Sequence, residues 1–379
     1  MHSSQTLPGT IAFVSNNCWS LFNFRKPLLM HFIRQGYRVV AIAAEDEYAA
    51  GISKMGCIYY PVDFRNSSVS PVRDMFLYSA LRSIYRKENP GIIFHYVTKP
   101  CIYGSFAAGI LKIPSIAVIT GLGYVFSGQK WIRYPVRFLF RQALRHAQEV
   151  WFLNNENAGY FIEHGMIPAV KARILPGEGI DTKWFSPMKA NVPGDRFIFL
   201  MVSRLLWSKG LGIYMQAARI LQKKGVIAEF RLLGKPETGH PESVPPEQLT
   251  AWENEGLLTN LGFSDDVRQH LSSADCLVLP TYYEEGIPRT LLEACSMEIP
   301  CITTDHTGSH TVIEDHVNGL LCTPKDPEDL AQKMLAMVRM DQYKRTEMGK
   351  KGREKMIRQF DLSKVTAIYQ ETVLQYLPG

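Results

Sequence analysis

The sequence has little cysteine, and what it has is scattered. Seven cysteines stand at 18, 57, 101, 276, 295, 301 and 322, and no C-x-x-C pair occurs. An odd number at wide spacings excludes a disulfide framework and a structural zinc site, and it fits a reducing compartment. Residues 1–10 lack a basic start followed by an apolar run, so no signal peptide is expected. The longest apolar stretch, Gly104 to Phe126, is broken by Lys112, Pro114 and several glycines. It reads as a buried helix followed by a buried strand, not as a membrane span. The turn after the first strand, Asn16 to Phe22, contains no glycine, which excludes the dinucleotide fingerprint. No P-loop, H-E-x-x-H or G-x-S-x-G is present. No internal repeat at a solenoid or propeller period is visible. Acidic residues are absent between Glu88 and Glu149, an interval that holds Lys99, Lys112, Lys130, Arg133, Arg137, Arg141 and Arg145.

What is present is an ordinary globular composition: 46% hydrophobic, 21% charged and 11% aromatic residues in 379. The length suits two domains. Residues 1–190 carry 21 Lys/Arg against 11 Asp/Glu, and residues 191–379 carry 21 against 25, so the positive charge belongs to the first half. Short apolar runs predict strands at Thr10–Ser15, Arg38–Ala44, Gly91–Val97 and Ser115–Thr120, then at Arg196–Ser203, Ala228–Leu233, Cys276–Pro280 and Cys301–Thr304. Helical spacing lies between them, at Arg25–Gln35, 72–88, Gly210–Lys224, Leu291–Met297 and Pro327–Arg339. Continuous apolar strands separated by helices predict parallel sheets covered on both faces. The expected division is 1–187, 188–361 and a last helix, 362–379, that packs back on the first domain.

Two segments carry the chemistry. Tyr282-Tyr283-Glu284-Glu285-Gly286-Ile287-Pro288-Arg289 follows a strand and opens a helix that contains Glu293. Proline suits a helix start, and the free amides there favour an anion. Two carboxylates flanking an anion site suit a sugar nucleotide, whose phosphates lie between two polyols. The plain alternative is a capped helix with solvated glutamates. Ser203-Arg204 and Lys209-Gly210 stand at the end of another strand, where open α/β sheets bind ligands. Arginine and lysine there suit a diphosphate.

Together these segments resemble the donor signature of the retaining glycosyltransferases of family four, in which S/G-R-x4-K-G precedes E-G-x-P-x-x-x-x-E-A. The family's interdomain segment is matched by residues 174–187, its base-pocket turn by Leu261-Gly262-Phe263, and its late asparagine-glycine turn by residues 315–321. The resemblance implies the GT-B fold, two doubly wound Rossmann-like domains facing each other across a cleft. Thr98-Lys99-Pro100 and residues 120–126 resemble a bacterial branch that acts on polyprenyl-diphosphate-linked sugars. The implied reaction moves a sugar, an N-acetylhexosamine such as N-acetylgalactosamine, from a UDP donor to a lipid-linked saccharide, with retention and without a metal ion. The resemblance assigns Arg204, Lys209 and the helix start to the departing diphosphate. Glu293 falls to the ribose and Glu285 to the donor sugar. Gly286, Ile287, Pro288, Gly262 and Phe263 line the donor. Thr120, beside the reacting sugar, and Gly121, Lys99, Asn16 and Asn17, facing the acceptor or the donor phosphates, are the first domain's contribution. Many members carry a histidine where Thr120 stands, which leaves His95, on the preceding strand, as the other candidate.

Metal ligation is not expected: His306 and His310 lie in a loop without a third ligand, and no D-x-D is present. Trp131, Arg133, Arg137 and Arg141 form an arginine stripe with an apolar flank if Pro135 opens a helix. That pattern suits the headgroup layer of an anionic membrane, at the inner face of the cell membrane, as well as it suits a helix packed on its own domain. No nucleic-acid module is recognisable. Two other functions remain open: a UDP-sugar 2-epimerase of the same fold, and a catalytically silent partner subunit.

Overall fold

A computed structural model describes residues 9–64, 71–122, 130–188, 196–237 and 239–377, with backbone alone at 130–133. The chain forms two compact units, Met1–Glu178 with Ser363–Gly379, and Gly179–Leu362.

The first unit is built on seven strands: β1 (Thr10–Asn17), β2 (Arg38–Ala44), β3 (Ile58–Pro61), β4 (Ile92–Tyr96), β5 (Ser115–Ile119), β6 (Glu149–Phe152) and β7 (Ala172–Ile174). They pair in the order β3-β2-β1-β4-β5-β6-β7, each neighbour parallel. Every residue of β4 and β5 is buried, as strands covered on both faces require. The order reverses between β1 and β4, so the loops after these two strands leave the sheet in opposite directions and open a crevice at their carboxyl ends. The helix after β1 begins at Cys18, seven residues before the expected start, and runs to Arg34 with Pro27 inside it. The last helix, Leu362–Tyr376, belongs to this unit. Its Tyr369 ring lies 4.8 Å from both Phe94 and Trp151, and its hydroxyl accepts a 2.9 Å hydrogen bond from Tyr96.

The second unit has six strands: β8 (Phe197–Val202), β9 (Ala228–Leu233), β10 (Thr259–Asn260), β11 (Cys276–Leu279), β12 (Cys301–Thr304) and β13 (Gly319–Cys322). They are also parallel throughout, in the order β10-β9-β8-β11-β12-β13. The switch point here lies between β8 and β11. The segment 179–187, expected with the first domain, packs with the second. Ile180 bridges Asp361, Phe185 enters the core, and the Phe185 carbonyl accepts from Ser296 at 2.6 Å and Arg353 at 3.1 Å.

Candidate functional site

The two signature segments meet because β8 and β11 are neighbours. Gly210 ends the short turn after β8 with φ of 86°, and a Cβ there would lie 2.0 Å from the Pro280 carbonyl oxygen. Only glycine lets the backbones approach so closely. The loops are then joined by Tyr282 N–H donating to the Ser208 carbonyl at 2.8 Å. This contact brings Lys209 onto Glu285: the ammonium lies 2.7 Å from each carboxylate oxygen. Thr281 donates to the same carboxylate at 3.2 Å. Both side chains are largely buried, 9% and 16% exposed. Burial pushes the Lys209 ammonium below its ordinary pKa, against the opposing pull of Glu285.

Arg204 reaches the same place from the end of β8. It donates to Glu237 at 2.7 Å and lies 5.4 Å from the centre of the Tyr283 ring, which Lys209 also approaches at 5.2 Å. Two cations thus converge on one aromatic ring, each held by its own carboxylate. A diphosphate arriving there would meet positive charge already oriented, the condition for stabilising a leaving anion.

Gly286, Ile287 and Pro288 carry the chain from Glu285 to the helix Arg289–Ser296. On that helix Glu293 is buried, and one of its oxygens accepts from Arg289 Nε at 2.8 Å. Burial raises the Glu293 carboxyl above its ordinary pKa, partly offset by Arg289. The turn after β10 places Gly262 with φ of 70°, its carbonyl accepting from Gly234 N–H at 2.7 Å. Phe263 is exposed, with the Lys235 ammonium 4.8 Å from its ring centre. These residues all stand at the carboxyl ends of β8 to β11, on one edge of one sheet. The sequence did not single out Glu237, Tyr283 or Arg289 as partners of the signature residues.

In the first unit, Asn16 and Asn17 end β1 at the switch point. Asn16 accepts from Ser15 Oγ at 3.3 Å, whereas Asn17 caps the following helix by accepting from Ser20 N–H at 2.9 Å. The Asn17 side chain thus has a local structural role at the start of that helix. Thr120 and Gly121 follow β5, both half-buried. Val97, Thr98, Ile119, Gly121, Phe140 and Phe161 line a small pocket. Val97 has φ of 61°, a strained conformation for a β-branched residue, of the kind that gathers at functional sites. Lys99 is paired with Asp74 at 3.1 Å, and Tyr103 donates to the other Asp74 oxygen at 2.7 Å. Asp74 is a further partner the sequence did not point to.

His95 is a core residue. It is fully buried, its Nε2 lies 2.9 Å from the Tyr85 hydroxyl, and burial lowers its pKa to about 3. A neutral, enclosed imidazole has no access to a ligand, which leaves Thr120 at the candidate position. His306 and His310 face separate carboxylates, Glu284 at 3.8 Å and Asp305 at 2.9 Å. Among the described residues no three metal-ligating side chains cluster.

The arginine stripe is less uniform than its spacing suggests. The helix Lys130–Ala143 contains Pro135 rather than starting at it. Arg137 is engaged within the unit, its Nε 3.0 Å from the Tyr160 hydroxyl and its guanidinium 5.1 Å from that ring's centre. Arg141 is exposed. The side chains of Trp131 and Arg133, and residues 123–126 of the first-domain motif, lie outside the described residues. No described helix is long and apolar enough to cross a membrane.

Residues 182–355 match the family "Glycosyl transferases group 1", and residues 10–154 match "Glycosyl transferase 4-like". The chain is 27% identical to a Campylobacter jejuni N,N'-diacetylbacillosaminyl-diphospho-undecaprenol alpha-1,3-N-acetylgalactosaminyltransferase, over 86% of this chain and 88% of the relative. It is 25% identical to an Escherichia coli UDP-Gal:alpha-D-GlcNAc-diphosphoundecaprenol alpha-1,3-galactosyltransferase, over 81% and 80%. A solved Anabaena protein in complex with UDP and glucose has the same fold, with a TM-score of 0.80 at 18% identity over 97% of this chain and 100% of that one. A Rickettsia africae glycosyltransferase likewise gives 0.80 at 16% identity over 97% and 98%.

Proposed function

The chain belongs to the group 1 glycosyltransferases and has the GT-B fold, and from that premise we propose that it transfers an N-acetylhexosamine, such as N-acetylgalactosamine, from a UDP-sugar to a polyprenyl-diphosphate-linked saccharide. The observation that carries the donor half is the Lys209–Glu285 pair beside Arg204 at the β8/β11 switch point. The acceptor half is supported by likeness, over most of the chain, to two transferases named for undecaprenyl-diphosphate sugars. Transfer retains the anomeric configuration and needs no metal ion. When the bond between the sugar and UDP breaks, negative charge grows on the diphosphate, and Arg204, Lys209 and the amides at the start of the helix Arg289–Ser296 stabilise it. Glu285, held in place by Lys209 and Thr281, orients the sugar. Glu293 accepts the ribose hydroxyls. The first unit contributes Thr120, Gly121 and Lys99, toward the acceptor or the donor phosphates. The acceptor's lipid places the enzyme at the anionic inner face of the cell membrane, with the basic helix Lys130–Ala143 toward the headgroups.

A mass-spectrometric assay tests this. The protein is mixed with a panel of UDP-sugars and short polyprenyl-diphosphate-sugar acceptors, with EDTA in one arm. The expected result is a gain of one sugar on the lipid that survives EDTA. No gain on any acceptor, or isomerised UDP-sugar alone, overturns the proposal.

A further inference from the structure

The helix Pro71–Glu88 presents an apolar face that the domain does not cover. Val72, Met75 and Phe76 are 66%, 70% and 72% exposed. Positions i, i+3 and i+4 share one side of a helix, so the three side chains form a single patch about one turn long. Large apolar side chains grouped this way in water mark a contact surface rather than chance exposure. The one acid in these turns, Asp74, is turned inward: Lys99 takes one of its oxygens at 3.1 Å and Tyr103 the other at 2.7 Å. What remains beside the patch is Arg73, which is exposed.

A second helix of the same unit carries a surface of the same character. The helix Lys130–Ala143 packs on the turn Pro100–Gly104, as does the helix Pro71–Glu88. It exposes Tyr134 at 71% and Phe138 at 61%, followed by the exposed Arg141 and Arg145. No acidic residue occurs from 89 to 148. Apolar and aromatic tips beside exposed arginines are complementary to one environment, acyl chains beneath anionic headgroups.

We infer that Val72, Met75 and Phe76 insert into an anionic bilayer, with Arg73 and the 130–143 helix at the headgroups, so that the first unit docks on the membrane through two helices. The inference rests on the lipid-linked acceptor proposed above, and it places the principal apolar contact on a helix that the arginine stripe does not include. Insertion of Phe76 and Met75 supplies hydrophobic binding that salt does not screen, whereas the arginines supply the part that salt weakens.

The full chain is sedimented with phosphatidylcholine vesicles with and without phosphatidylglycerol. The double variant Met75→Ser/Phe76→Ser is expected to bind phosphatidylglycerol vesicles more weakly by roughly tenfold or more. All seven native cysteines are buried, so Met75→Cys supplies an accessible thiol for an environment-sensitive dye, whose emission is expected to shift to the blue on these vesicles. Unchanged sedimentation of the double variant, or no dye shift, overturns the inference. So does light scattering that finds the native chain dimeric, the double variant monomeric and neither bound to vesicles. Transfer to a short-chain acceptor in detergent separates the two proposals. The double variant is expected to match the native rate there, and failure of both to transfer counts against the acceptor reading while leaving the vesicle result in force.

Discussion

Lys209 and Glu285 are the residues on which the site turns. Each is desolvated, so each depends on the other. Lys209→Ala takes the ammonium away from a buried carboxylate, and it is expected to cost about 3 kcal/mol of stability. It is also expected to lower kcat by about 10²–10³-fold through loss of charge at the diphosphate. Denaturant unfolding and a transfer assay measure the two effects. Glu293 gives a pH signature. Its raised pKa means that the proton returns, as pH falls, before the ordinary glutamate range is reached. A protonated carboxyl no longer accepts from two ribose hydroxyls, so donor KM is expected to rise on acidification from above that range, and Glu293→Gln to remove the dependence. For folding the same shift has the opposite sign: the folded state binds the proton more tightly than the unfolded one, so this group lowers stability as pH rises through the window. The cations and carboxylates of the signature were legible in the sequence because they keep fixed spacings. Glu237 and Asp74 were not, because they reach their partners from other loops and helices with no spacing to betray them.

At the scale of elements, strand ends matter more than strands. The close approach at Gly210 joins the loop after β8 to the end of β11. Gly210→Ala is expected to force these loops apart, with a lower melting temperature and weaker UDP binding. Gly225→Ala, with positive φ but nothing within 4 Å, is a control expected to cost only about 1 kcal/mol and to leave UDP binding intact. Thermal unfolding and calorimetric titration compare the pair. Strands with continuous apolar runs were legible, as was the Pro327–Arg339 helix with its apolar stripe. The helix Gln342–Lys355 was not. It is polar nearly all round, and where Gly349 and Gly352 lie on Glu298 and Cys295 it packs by lacking side chains. Hydrophobic periodicity cannot signal such a helix.

At the scale of the whole molecule, the chain leaves the first unit at Glu178 and returns to it at Ser363. The proline- and glycine-rich stretch suggested a boundary at 187. It misplaced the join because Ile180 and Phe185 are apolar residues that the second core takes up. Tyr369, wedged against Phe94 and Trp151, completes the first unit's core. Tyr369→Ala is expected to destabilise that unit by about 3–4 kcal/mol while UDP affinity, a property of the second unit, stays unchanged.

The most direct measurement is the separation of binding from transfer at Glu285. Glu285→Gln is titrated with UDP by calorimetry, and its transfer to a polyprenyl-diphosphate-sugar acceptor is followed by mass spectrometry. If Glu285 orients the donor sugar, UDP binds with nearly native affinity and transfer falls by about 10²-fold or more. Native transfer by Glu285→Gln would contradict the assignment and place the reacting sugar elsewhere.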